Sequence, residues 1–310
     1  MSSELQRAIE ENRPALLRHC YRMLGSIFDA EETIYGLTRY GGDDLRVPTL
    51  FALATHACLE DQVRKRPLKL PHFGTEPGTQ IRFGPADPAR WVTPAADAEL
   101  FASAAEKDGE RESLTLDYLA LLQTLSPLQR AAFLAHDRLG FSFAEISQLL
   151  ELTEGGVASA VRRAEGVMAQ APHASERPAV EAIAQLVRAW ESHDLDGVSR
   201  LLHPDAILSM PPFEGWLHGS GALRGFFGSA RFEAFWARRI RVKPTDANGG
   251  PALAFYRPGP DGVPAAQAIM VLRFESARVA EVITFVGRRY FHGFEIPTEM
   301  DPVAQPGQLS

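Results

Sequence analysis

Phe141–Met168 reads FSFAEISQLLELTEGGVASAVRRAEGVM, the pattern of two short helices joined by a tight turn. Ser142 and Glu145 have the spacing of a capping box, in which hydroxyl and carboxylate each satisfy a free N–H at a helix start. Ile146, Leu149 and Leu150 then fall on one face. Glu151-Leu152-Thr153 interrupts that face, and Thr153 is placed to cap a second helix that turns Val157, Ala160, Val161 and Ala164 inward. The spacing is that of a helix-turn-helix, whose second helix would present Ser159, Arg162 and Arg163 to phosphates or base edges. Thr153, at the start of that helix, joins them as a candidate DNA contact. The same pattern also occurs in all-α domains that touch no nucleic acid. Charge weakens the DNA reading, because between Glu112 and Gln170 seven acids stand against four arginines, and duplex binding draws on phosphate neutralisation.

With 310 residues and 45% apolar composition, the chain is long enough for two or three domains with their own cores. A net charge of −7 argues against bulk polyanion binding but leaves room for a local basic patch. The two cysteines, Cys20 and Cys58, both sit within apolar helical patterns and read as small buried hydrophobes. No metal-ligand spacing, phosphate loop or nucleophile elbow occurs, so no cofactor or metal is expected. The charged first turns and the lack of a long apolar run argue against a signal peptide or membrane span, and predict a cytoplasmic protein.

Working outward, residues 1–66 read as helical. Leu5, Ile9, Leu16, Leu17, Cys20, Tyr21 and Leu24 form an apolar stripe, a weaker segment begins at Asp29, and Pro48 opens a helix carrying Leu50, Leu53, Ala54, Ala57, Cys58 and Val63. That helix runs out into Arg64-Lys65-Arg66, a candidate nucleic-acid contact that equally suits the negative end of a helix dipole. Residues 67–110 hold six prolines between Pro67 and Pro94 and few periodic apolar positions, which predicts a linker anchored by Trp91. A helix from Arg111 to Thr124 and another starting at Ser126-Pro127 complete a four-helix unit over 111–171. Residues 178–297 change style, with helices at Val180–Trp190 and Leu195–Leu202 followed by strand-like runs and the turn signal Asp246–Gly250. Helices first and an antiparallel sheet after them imply an α+β domain, followed by a tail over 298–310.

These stretches resemble a known family. LALLQTLSPLQRAAFLAHDRLGFSFAEISQLL and VASAVRRAE are similar to region four of extracytoplasmic-function sigma factors, the module that reads the −35 promoter element. RPALLRHCYRMLGSIFDAEE and LFALATHACLEDQVRKR resemble the flanks of region two. ILSMPPFEGWLHG, PTDANGGPALAFYR and RVAEVITF resemble the SnoaL-like domain that one subgroup carries after region four. The resemblance implies a multidomain chain, two all-α helical domains followed by an α+β cone, with RNA polymerase core and promoter DNA as partners. The sequence departs from the family in three places. Thr33-Ile34-Tyr35-Gly36 replaces an apolar and aromatic run in a shortened segment before Thr49, Ala158, Ala160 and Glu165 stand where the family often has Lys or Arg, and Glu151 stands at the usual turn glycine.

A cone of this kind would enclose a small apolar ligand. Trp190, Met210, Glu214, Trp216, His218, Phe226, Trp236, Met270 and Phe285 are the pocket candidates. His203 and Asp205 are the candidate catalytic pair, with the alternative that Asp205 only caps a turn before the first strand. Two functions follow: transcription initiation modulated by the cone, or a cofactor-free cyclase, isomerase or epoxide hydrolase, or a ligand sensor, on a sigma-like scaffold.

Overall fold

In the computed structural model, which describes residues 2–39, 46–62, 67–84, 87–171, 176–236, 239–259 and 261–300, several helices of the first half begin where a serine or threonine side chain caps them. Their order is α1 (Ser2–Glu11), α2 (Arg13–Leu24), α3 (Ile27–Gly36), α4 (Val47–Gln62), α5 (Asp97–Leu100), α6 (Ala104–Glu110), α7 (Leu116–Leu122), α8 (Pro127–Asp137), α9 (Phe143–Leu150) and α10 (Glu154–Met168). Ser26, Ser103 and Thr115 each accept a hydrogen bond from an N–H of the first turn that follows, and Ser126 with Gln129 forms a reciprocal capping box. The continuous helix expected over 111–124 is instead split. Thr115 takes an extended conformation to cap α7, leaving a 3-10 turn at Arg111–Leu114.

Met1–Phe73 and Asp87–His173 form one compact unit, and Gly74–Ala86 with Ala174–Ser310 forms a second. The two helical segments expected as separate domains therefore share one core. Helix α2 lies within it, with Leu16, Leu17, Cys20, Tyr21 and Met23 buried. Cys20 and Cys58 are both free and buried, and burial, followed by a hydrogen bond to Cys20, pushes the Cys58 thiol well above its ordinary range.

Residues 67–110 are not the linker their prolines suggest. Lys69 pairs with Trp91 in a parallel bridge, and Trp91, Val92, Ala95 and Leu100 are buried. The Tyr21 hydroxyl donates to the Thr93 carbonyl, and the Thr93 hydroxyl accepts from the Ile27 N–H at 2.9 Å. Prolines here stiffen a segment that packs, since fixing φ lowers the entropy lost on ordering.

The second unit runs α11 (Val180–Glu191), α12 (Leu195–Leu201), β1 (Leu202–Ser209), β2 (Trp216–His218), α13 (Ser220–Phe227), α14 (Ala230–Trp236), β3 (Arg241–Ala247), β4 (Gly250–Pro258), β5 (Pro264–Glu275) and β6 (Arg278–Val286). The strands order as β2-β1-β6-β5-β4-β3. All neighbours are antiparallel except β1 and β6, which pair parallel with Leu208 beside Val282. The wholly antiparallel sheet expected from the run of strands is thus a mixed one, because β1 is joined to β6 by a long excursion rather than a hairpin. Asn248 and Gly249, both at positive φ, make the two-residue turn between β3 and β4.

Residues 74–84 belong to this unit. The Gly78 N–H donates to the Trp216 carbonyl at 2.8 Å, the Arg82 N–H donates to the Glu214 carbonyl at 2.9 Å, and Ile81 enters the core. Gly215 is needed at this crossing: its φ is +89°, and a Cβ there would lie 3.0 Å from the Gln80 carbonyl oxygen.

Candidate nucleic-acid interface

The helix-turn-helix is built as its residues dictate. Ser142 accepts from the Glu145 N–H at 3.3 Å while Glu145 accepts from the Ser142 N–H at 2.8 Å, and the Ser142 hydroxyl and N–H hold the Glu145 carboxyl below its usual range. Thr153 accepts from the Gly156 N–H at 3.1 Å and starts α10. Between the helices Glu151 adopts the left-handed conformation, φ 53°, that a glycine adopts without strain. Ile146, Leu150, Val157, Ala160, Val161 and Ala164 are all buried. These contacts fix the angle at which α10 stands.

The outer face of α10 carries Arg162 and Arg163, both exposed, with Ser159 half-buried beside them. Arg163 donates through Nη1 to the Ser159 hydroxyl at 2.9 Å, which orients one guanidinium along the helix. Glu165 and Glu154 share the exposed surface of α10, so its cationic patch is narrow. Thr153 is exposed, with its hydroxyl engaged in the cap. Arg64, Lys65 and Arg66 lie outside the described residues. So do residues 40–45 of the shortened segment before Thr49; Tyr35 ahead of it is 81% exposed.

One face of the second unit's sheet is packed with aromatic side chains. Trp190, 1% exposed, meets Phe227 at 5.1 Å and Phe255 at 5.4 Å between ring centres, both edge-on. Met210, Met270 and, partly buried, Phe226 belong to the same cluster. Phe83, from the segment expected to be linker, packs against Phe213 and Phe226.

The remaining candidates lie elsewhere. Phe285 is buried on the opposite face of the sheet against Tyr290, because it alternates with Val282, Thr284 and Val286 along β6. Trp216 sits on edge strand β2 with its indole N–H donating to the Thr75 hydroxyl at 3.1 Å, its ring 6.3 Å from that of exposed His218. Glu214 is exposed, with its main chain paired to Arg82. The backbone of Trp236 ends α14 and its side chain lies outside the described residues. His203 and Asp205 lie within β1 rather than in a loop before it. The Asp205 N–H donates to His203 Nδ1 at 3.2 Å, with Asp205 exposed and His203 half-buried. A polar group that does share the face of Met270 is the Thr284 hydroxyl, which is buried and has no hydrogen-bond partner among the described residues. Strand alternation past Val282 is the signal that could have found it.

Comparison with known proteins matches this arrangement. Residues 115–166 match the Sigma-70, region 4 family, and residues 183–282 match the SnoaL-like domain. The chain is 30% identical over 318 residues to the ECF RNA polymerase sigma factor SigG of Mycobacterium tuberculosis, covering 94% of this chain and 83% of that protein. It is 28% identical over 207 residues to SigJ of the same organism, covering 63% of this chain and 61% of that protein. The crystal structure of Mycobacterium tuberculosis SigJ superposes with a TM-score of 0.59 at 21% identity, covering 96% of this chain and 100% of that one. This chain belongs to the extracytoplasmic-function RNA polymerase sigma factors and carries a SnoaL-like domain after region four.

Proposed function

We propose that the protein binds RNA polymerase core in the cytoplasm and directs it to promoter DNA through α9 and α10, with the SnoaL-like domain acting on that step as a modulator. The observation that carries this reading is the doubly capped helix-turn-helix, in which a buried apolar seam fixes α10 while Arg162 and Arg163 stay outside. Arginine at that place contributes about 1–3 kcal/mol where it reads a base edge and less where it meets phosphate alone. Modulation rather than catalysis by the cone is supported by its aromatic filling and by the outward positions of Asp205, Glu214 and His218.

The test is retention of core polymerase by the purified full chain, followed by run-off transcription from a promoter it selects. Retention with promoter-dependent transcripts that fall in the Arg162→Ala, Arg163→Ala double variant is the expected result. A protein that retains no polymerase, or transcription indifferent to the double variant, overturns the reading.

A further inference from the structure

On α10, Gly155, Ser159, Arg162 and Gly166 follow one another at steps of four, three and four residues. They therefore stack along one line of the helix, on the side away from buried Val157, Ala160, Val161 and Ala164. Gly155, Arg162 and Gly166 are exposed and Ser159 is half-buried. Arg162 is the one long side chain of the four. At Gly155 and at Gly166 a Cβ would meet no heavy atom of the described residues within 4 Å. Internal packing does not call for glycine at either place, and glycine is less favourable than alanine in a helix. What the two bare positions provide is room for a close approach from outside, on either side of Arg162.

The two neighbouring arginines are held differently. Arg163 stands one position round from that line, and its Nη1 donates to the Ser159 hydroxyl at 2.9 Å. That bond draws the guanidinium back along the flank of α10 and leaves its remaining N–H groups as donors. Four residues before Arg162 stands Ala158, which offers no side-chain acceptor for a matching tether.

The flank of α10 opposite Arg163 carries exposed Glu154 and Glu165, with Ala158 between them. A helix in the major groove has a phosphate wall on each side. Like charge disfavours approach of the acidic flank to one wall, while Arg163 favours approach to the other.

Taking α10 as the promoter-reading helix proposed above, we infer that its two arginines have separate roles. Arg162 reads a guanine at the floor of the major groove through paired donors to O6 and N7, while Ser159 holds Arg163 aside for a phosphate of one strand. Gly155 and Gly166 let the helix sink far enough for Arg162 to reach the base edge. Ser159 is a positioning residue that acts on DNA only through Arg163.

The test starts from the full chain bound to core polymerase, used to select duplexes from a randomised pool. Affinity for the selected duplex and for its single-pair variants is then measured over a salt series. A selected G·C pair is expected, at which Arg162→Lys, keeping the charge but not the paired donors, loses about 5- to 150-fold of discrimination with the salt slope unchanged. Arg163→Ala should instead weaken every duplex by a similar factor and lower the salt slope by about one. Ser159→Ala should weaken binding on its own and cost nothing further once Arg163→Ala is present. Circular dichroism confirms that each variant is folded. Undiminished discrimination in Arg162→Lys, relaxed specificity in Arg163→Ala, or a Ser159→Ala loss that adds in full to that of Arg163→Ala overturns the inference while leaving promoter binding by α10 in place. A pool from which no sequence emerges overturns that reading and the inference with it.

Discussion

Arg130 of α8, 2% exposed, donates through Nη1 to the main-chain carbonyl of Met23 at the end of α2, 107 residues earlier in the chain. Its other donors reach the Leu122 carbonyl at 2.8 Å, the Gln123 side chain at 2.6 Å and the Leu125 carbonyl at 3.1 Å. One planar cation therefore joins region-two-like and region-four-like helices into a single core. Burial lowers its pKa to about 10, still well above neutrality, so the charge is retained and met by oriented carbonyls.

Arg130→Met should cost on the order of 3 kcal/mol in denaturant unfolding, because it strands several buried carbonyls at once. Arg130→Lys should recover little of the loss, since an ammonium cannot span the same fork. Wild-type stability in either variant would remove this account of how the helical segments cohere.

Acid should loosen the helical unit through His19. Its pKa falls from 6.5 to about 3 on folding, so the unfolded chain binds the extra proton between those values. Stability from this group is complete above pH 6.5 and is lost as pH falls towards 3, on the order of 5 kcal/mol in all. His19→Gln can keep the contact to Thr55 without titrating. The stability difference between pH 7 and pH 4, measured by urea unfolding, should shrink in that variant; an unchanged difference would show that the carboxylates alone set acid sensitivity.

Glu151→Gly should stabilise the protein by about 1 kcal/mol, because a side chain at φ 53° carries the left-handed penalty that glycine does not. A thermal melt reads this directly. A drop in melting temperature would mean that Glu151 makes up its strain through its side chain.

Ile81→Ala should destabilise the second unit by about 2–3 kcal/mol, the usual loss for a buried aliphatic chain, and leave the helical unit unaffected. Hydrogen exchange resolved by segment distinguishes the two: faster exchange is expected in β1 and β6, with α2 and α8 unchanged. Equal exchange everywhere would return residues 74–84 to the status of a passive connection.

Local chemistry was enough to define the helix starts at Ser126, Ser142 and Thr153, the buried seam of α9 and α10, the turn at Asn248-Gly249 and the change from helices to strands after about residue 200. Capping, helical periodicity and two-residue turns involve neighbours within a few positions, so the chain states them in its own order. Only the tertiary structure decided that residues 67–110 pack rather than link, that residues 74–84 enter the C-terminal cone, that β1 pairs parallel with β6, and that Trp190 packs on one face of the sheet while Phe285 lies on the other. The turn between β5 and β6 is of the same kind, with Ser276 and Ala277 both at positive φ and the Ala277 N–H bonded to Glu176 a hundred residues away in sequence. Such features depend on partners distant along the chain, and strand alternation states which side chains share a face without stating which face the core will occupy. A cavity lined by Arg18, His19, Arg22 and Arg138 is the extreme case: its charges belong to helices whose meeting no local pattern encodes.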